Sequence, residues 1–89
     1  MKRLRIRVEG RVQGVFYRAS TQSKALELGL SGWVKNQPDG SVLMEVQGNT
    51  EALDKMIKWC KEGPIMARVD NLDQEDVSVE AGTSFDIIR

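Results

Sequence analysis

Histidine is absent from this chain, and cysteine occurs once, as Cys60. The first absence excludes a Ser-His-Asp triad, a histidine nucleophile and histidine metal ligation. The single cysteine excludes an internal disulfide and fits a reducing compartment. Cys60 is also poorly placed for nucleophilic work. It falls on the apolar stripe of a predicted helix, and the next arginine, Arg68, is too far along for the short phosphate loop of thiol phosphatases. An excess of one charge is missing as well. Lys plus Arg is 13 and Asp plus Glu is 13, which removes the general electrostatic case for nucleic-acid affinity but leaves a local basic patch open. No run reaches membrane-span length, and MKRLRIRVEGR lacks the apolar core of a signal peptide. A soluble, cytoplasmic protein with no membrane partner is expected. No repeat, low-complexity tract or linker interrupts the 89 residues, so one domain over 1–89 is expected, monomeric by default. A chain of this size buries only about two-thirds of its unfolded surface. A shallow site built from backbone is therefore expected, rather than a deep dry pocket.

What is present begins with strict alternation. In RLRIRVE, residues 3–9, Leu4, Ile6 and Val8 face one way and Arg3, Arg5, Arg7 and Glu9 the other, which predicts a strand with one buried and one wet face. Residues 19–29 read as a helix, with Ser20 or Thr21 near its start and Gly29 at its stop. Residues 30–36 and 41–47 read as a hairpin around the turn QPDG. The clearest helix is 50–61, where Leu53, Met56, Ile57 and Cys60 recur at helical spacing. Asn49 can cap it and Gly63-Pro64 stops it. Residues 66–72 and 77–80 look extended, with the acidic run DNLDQED, residues 70–76, as a solvated turn between them. FDIIR at 85–89 is a short final strand. Two helices cannot cover both faces of such a sheet. The expected fold class is α+β, a ferredoxin-like sandwich (βαββαβ) with a mixed, mostly antiparallel sheet, two helices on one face and a short extra C-terminal strand. Helix-linked strands should be parallel, which places the first strand in the sheet interior.

The junction GRVQGVFYR, Gly10 to Arg18, is unusual for a turn: long, mostly uncharged, and ending on a guanidinium at a helix mouth. Amides at a strand end and a helix start lack intrahelical partners, and the helix dipole adds partial positive charge. Gly14 can take φ > 0 and let successive amides curl into a nest. With Val12, Val15 and either Phe16 or Tyr17 turned inward, the backbone amides of Gln13, Gly14, Val15, Phe16 and Tyr17 would converge on phosphate or another anion. Arg18 would add a planar fork. The lysine-bearing loop GxxxxGK[ST] is absent. On these residues alone, a glycine-eased crossover with Arg18 in a surface ion pair competes with the anion cradle.

A second stretch, Gly32 to Gly48, joins the first. Gly10, Val12, Gln13, Gly14, Val15, Tyr17 and Arg18, followed by Gly32, Trp33, Val34, Lys35, Asn36, Gly40, Val42 and Gly48, match the two signatures of the acylphosphatase family in order. The chain resembles that family over nearly its whole length, most weakly across 62–82. The resemblance implies an enzyme that hydrolyses acyl phosphates to a carboxylate and inorganic phosphate. It also implies no metal and no other cofactor, a small-molecule acyl phosphate as substrate, and Arg18 and Asn36 as the catalytic side chains. The residue types suit that chemistry. The leaving carboxylate has a pKa of about 4, so it departs without a general acid. Asn36 can both donate to and accept from one attacking water.

Other readings stand beside this one. Asn36 before a Pro-Asp-Gly turn can be a turn residue, and Thr21 a cap. Trp33, Val34 and Trp59 read as packing residues, and Lys35 should point to the face opposite Asn36. The acidic run lacks the glycine and final glutamate of a calcium loop. The same strand–helix order builds an RNA-binding module, with Arg3, Arg5 and Arg7 on its open face, but the first and third strands carry no aromatic to stack bases. No nucleic-acid partner is expected. A non-catalytic phosphate- or nucleic-acid-binding module on the same fold is the alternative.

Overall fold

The computed structural model describes residues 1–89. Its elements are β1 (Lys2–Arg11), α1 (Tyr17–Glu27), β2 (Ser31–Asn36), β3 (Val42–Gly48), α2 (Thr50–Glu62), β4 (Arg68–Val77) and β5 (Phe85–Ile88). They form the expected α+β sandwich. The sheet order is β4-β1-β3-β2-β5. β3 pairs antiparallel with β1 and β2, β4 antiparallel with β1, and β5 parallel with β2. β1 is interior, as predicted. The C-terminal ends of β1, β2 and β5 therefore gather at one end of the sheet, which is where the loop after β1 starts.

Alternation sorts each strand onto two faces. Leu4, Ile6 and Val8 of β1 join Val34 of β2, Val42, Met44 and Val46 of β3 and Phe85 of β5 in the core, all at most 4% exposed. Burying each such side chain stabilises by about 1.5–3 kcal/mol. The helices cover this face, α1 over β2 and β5, α2 over β4, β3 and β1. α2 contributes Leu53, Met56 and Cys60 at helical spacing. Asn49 caps α2 as expected, its side chain accepting from the Ala52 amide at 2.8 Å. Trp59 is half-buried, with its ring centroid 5.5 Å from that of Tyr17. No helix is long and apolar enough to cross a membrane.

Three expectations need correction. First, α1 starts at Tyr17, two residues earlier than Ala19, and neither Ser20 nor Thr21 caps it. The Thr21 hydroxyl is buried and donates to the Tyr17 carbonyl one turn back, at 2.7 Å. Second, DNLDQED is strand, not turn. It lies within β4 and pairs residue by residue with β1. β4 is an edge strand, where charged side chains remain solvated and discourage pairing with other chains. Third, the face away from the helices is not wet throughout. β4 and β5 occupy opposite edges, four strand spacings or about 19 Å apart. Residues 78–84 must cross nearly extended to join them. Where they cross, the Glu80 backbone exchanges hydrogen bonds with the Gln47 amide at 2.7 and 2.8 Å, and the Ser84 carbonyl accepts from Gly32. Arg3, Glu45 and Gln47 are each 4% exposed at that end of the face. Arg3 donates to Glu45 at 2.6 Å and to Gln47 at 3.2 Å, and Arg5 also holds Glu45. A buried ion cluster in this position is permissible because every polar side-chain atom in it has a partner.

Candidate active site

The register of β1 against β4 shifts between Glu9 and Gly10, and Gly10 takes φ 129. A Cβ there would collide with the Arg68 carbonyl, so only glycine fits this bulge. The chain then leaves the sheet through Val12, 1% exposed, and Val15, 5% exposed. Tyr17, not Phe16, is the aromatic anchor. Tyr17 is 1% exposed and its hydroxyl donates to the Cys60 carbonyl at 2.7 Å; Phe16 is 79% exposed. Burial, with the neighbouring Cys60 adding to it, pushes the Tyr17 phenol above its ordinary range. The Cys60 thiol is pushed up to about 12, chiefly by burial, which leaves it inert.

Between these anchors the backbone is left-handed twice, at Gly14 (φ 74) and at Phe16 (φ 65, ψ 23). Alternating handedness turns successive amides toward one centre. A bulky residue rarely adopts the second conformation, which costs about 1 kcal/mol or more. The sequence carried no signal for it. Phe16 is also the N-cap of α1, and no side chain caps that helix. From Gln13 to Ala19, no backbone amide donates to an acceptor in the protein. Seven consecutive donors, four of them ahead of the helix and three in its first turn, thus have no acceptor within the protein.

Arg18 sits in that first turn and lines the same cavity as Gly14 and Phe16. Asn36 arrives from the end of β2, on the helix-covered face in register with Val42. The turn that follows it is tied to the nest. The Gln13 side chain donates to the carbonyls of Gln37 and Ser41, both at 2.8 Å. The Asp39 carboxylate accepts from the Ser41 amide and hydroxyl and from Arg7, which holds its pKa far below the usual carboxylate range. Lys35 points to the other face and lies over the Trp33 ring at 5.4 Å.

Val12, Gly14, Phe16, Tyr17, Arg18, Ala19 and Asn36 line one cavity of about 320 Å³, together with Ile87 and Arg89. The structure therefore brings Arg18, Asn36 and the loop together. The last two residues were missed, because their place depends on the parallel pairing of β5 with β2.

A family model described as Acylphosphatase matches residues 4–87. The chain belongs to the acylphosphatase family. A protein of Methylococcus capsulatus named acylphosphatase is 49% identical over 90 residues, covering all of this chain and 98% of its own length. The crystal structure of acylphosphatase from Bacillus subtilis superposes with a TM-score of 0.97 at 36% identity, each chain fully covered. An acylphosphatase from Coxiella burnetii gives 0.94 at 38% identity, covering 98% of this chain and 92% of that one. The family match spans β1 through β5, so the loop, Arg18 and Asn36 all lie within it.

Proposed function

We propose that this acylphosphatase-family chain hydrolyses acyl phosphates to a carboxylate and inorganic phosphate, with the amides of Gln13, Gly14, Val15, Phe16 and Tyr17 and the Arg18 guanidinium holding the phosphoryl group. The observation that carries this reading is a run of free amides from Gln13 to Ala19 along a cavity that Gly14, Phe16, Arg18 and Asn36 line. A phosphoryl group presents three oxygens around phosphorus. The nest and the planar fork of Arg18 meet them as hydrogen-bond donors, and the charge that spreads over these oxygens in the transition state strengthens those bonds. Asn36 holds one water through its side-chain amide, in line with the bond to be broken. The water oxygen forms its bond to phosphorus as the phosphorus–acyl oxygen bond breaks. The bonding pair leaves on the carboxylate, which is stable unprotonated at neutral pH. The water's proton passes to a phosphoryl oxygen, so no protein base is required. Neither metal nor cofactor enters any step.

The test is hydrolysis of an aromatic acyl phosphate, followed by loss of ultraviolet absorbance, in wild type and Asn36→Ala. Asn36→Ala should lower kcat by roughly 100-fold or more while inorganic phosphate binds nearly as before. A chelator should change nothing. A fall in phosphate affinity with kcat held would make Asn36 a binding residue and overturn its part. Absence of wild-type turnover, with phosphate still protecting the fold against heat, would support the binding-module reading instead.

A further inference from the structure

The parallel pairing of β5 with β2 sets Ile87 beside Val34 and Ile88 beside Lys35. Arg89 and Asn36 are the residues that follow this last pair, Arg89 lying just beyond the end of β5. Residues in register on neighbouring strands are about 5 Å apart and share a face. Arg89 thus arrives on the same face as Asn36, and both line the cavity with Arg18. None of the nine lining residues is Asp or Glu. Neither Arg18 nor Arg89 has a salt-bridge partner, nor has Arg11 outside the cavity, whereas Arg3, Arg5, Arg7 and Arg68 all do. Two guanidiniums on a cavity that no Asp or Glu side chain lines repel each other, and an anion between them relieves that repulsion.

We propose that Arg89 is a second guanidinium for the phosphoryl group, reaching its oxygens from the β5 side as Arg18 does from α1. This rests on the phosphate-cradle reading above. In-line displacement assigns Arg89 to these oxygens rather than to the acyl part. Asn36 holds the water, so the leaving carboxylate lies on the far side of phosphorus, and a residue beside Asn36 meets the phosphoryl oxygens first. That contact is available in the bound substrate and in the product phosphate alike. Its loss therefore acts on KM and on phosphate affinity together and, because these oxygens gain charge in the transition state, on kcat as well.

The test is Arg89→Gln and Arg89→Lys, with two readouts. Calorimetric titration with inorganic phosphate gives Kd without turnover. Steady-state kinetics then use benzoyl phosphate and succinyl phosphate, the second carrying a distal carboxylate. For Arg89→Gln, the phosphate Kd and both KM values should rise together by roughly 10-fold, the effect of losing one charged hydrogen-bond donor. kcat should fall as well, and Arg89→Lys should recover part of the affinity. An unchanged phosphate Kd in Arg89→Gln overturns the proposal, as does a fall in kcat with Kd held. A loss confined to succinyl phosphate also overturns it, by assigning Arg89 to the acyl group. A wild type that binds phosphate but hydrolyses neither substrate would defeat the hydrolase reading, while the calorimetric comparison would still decide the role of Arg89.

Discussion

Arg3, Arg5 and Arg7 alternate along β1 on the outer face of the sheet, and Arg18 and Arg89 line the cavity at its end. The first group is satisfied by its own protein. Glu45 receives Arg3 and Arg5, and Asp39 and Glu9 receive Arg7. No Asp or Glu side chain lines the cavity around the second group, and the amides from Gln13 to Ala19 have no acceptor in the protein. Residue type is the same in both places. What differs is whether the fold supplies the counter-charge or leaves it to a ligand. Paired arginines fix architecture: Arg3, bonded to Glu45 and Gln47 and 3.7 Å from the Glu80 carboxylate, helps hold the crossing segment at one end of the outer face, and Arg7 steadies the turn after Asn36. Unpaired ones, set among free backbone donors, leave their counter-charge to the proposed anion.

The sharpest way to break the comparison is to remove one cation from the unpaired group. Arg18→Ala should lower kcat/KM by at least roughly 1,000-fold and weaken phosphate binding, because it deletes a donor whose bonds strengthen in the transition state. Arg18→Lys should also fail, since a point charge does not reproduce two parallel donors. Thermal stability should change little in either variant. Steady-state kinetics and a melting curve on the same samples check both halves. Near-normal turnover in the lysine variant would rule out the bidentate role.

The paired group should respond the opposite way, in stability and not in turnover. Glu45→Gln leaves the Arg3 guanidinium buried with weakened acceptors. It should cost about 2 kcal/mol in urea unfolding at pH 7, with kcat unchanged in the folded protein. Its pH dependence sharpens the point. Burial alone would raise the Glu45 pKa, but the hydrogen bonds and charges of Arg3 and Arg5 outweigh it and hold the carboxyl below its ordinary value of 4.5. A depressed folded pKa means that the stabilisation is complete above the unfolded value and is lost as pH falls through the folded one. The gap between wild type and Glu45→Gln should therefore be constant above about pH 5 and narrow as pH falls below 4.5. A gap that widened on acidification would show that the carboxylate is not held by these arginines.

Much of this arrangement was legible in the residues, for local reasons. Strict alternation marked β1 and its arginine row, the 3.6-residue period marked α2, and QPDG marked the hairpin that ends β2 on Asn36. The glycines and the absence of charge in GRVQGVFYR pointed to an anion cradle, and the family signatures pointed to Arg18 and Asn36, which the structure sets on one cavity. What escaped was decided at a distance. Arg3 and Glu45 are buried only because β4 and β5 lie at opposite edges and the chain must cross between them. Arg89 enters the cavity only through the β2–β5 pairing. DNLDQED reads as a turn by composition, yet an edge strand tolerates those charges. The start of α1 escaped for a different reason: its cap is a bulky residue in a left-handed conformation, against local preference.

That conformation yields the smallest test, and it separates the strain of the site from its chemistry. Phe16 is mostly exposed, so replacing it with glycine removes little buried surface. It should relieve left-handed strain of about 1 kcal/mol, partly offset by the greater freedom of glycine in the unfolded chain, about 0.4–1 kcal/mol. Phe16→Gly should therefore be as stable as wild type, or more stable by about 0.5 kcal/mol. Phosphate should nevertheless bind more weakly, because a nest that is no longer held in shape must be ordered when the anion arrives. Urea unfolding with and without phosphate separates the two effects. Stability unchanged or raised without phosphate, combined with a smaller increment on adding it, would show that the strain is retained for preorganisation. A variant that lost stability without phosphate would show instead that the ring packs against the cavity wall strongly enough to outweigh its backbone cost, and that this loop is held together by the same satisfied contacts as the opposite face.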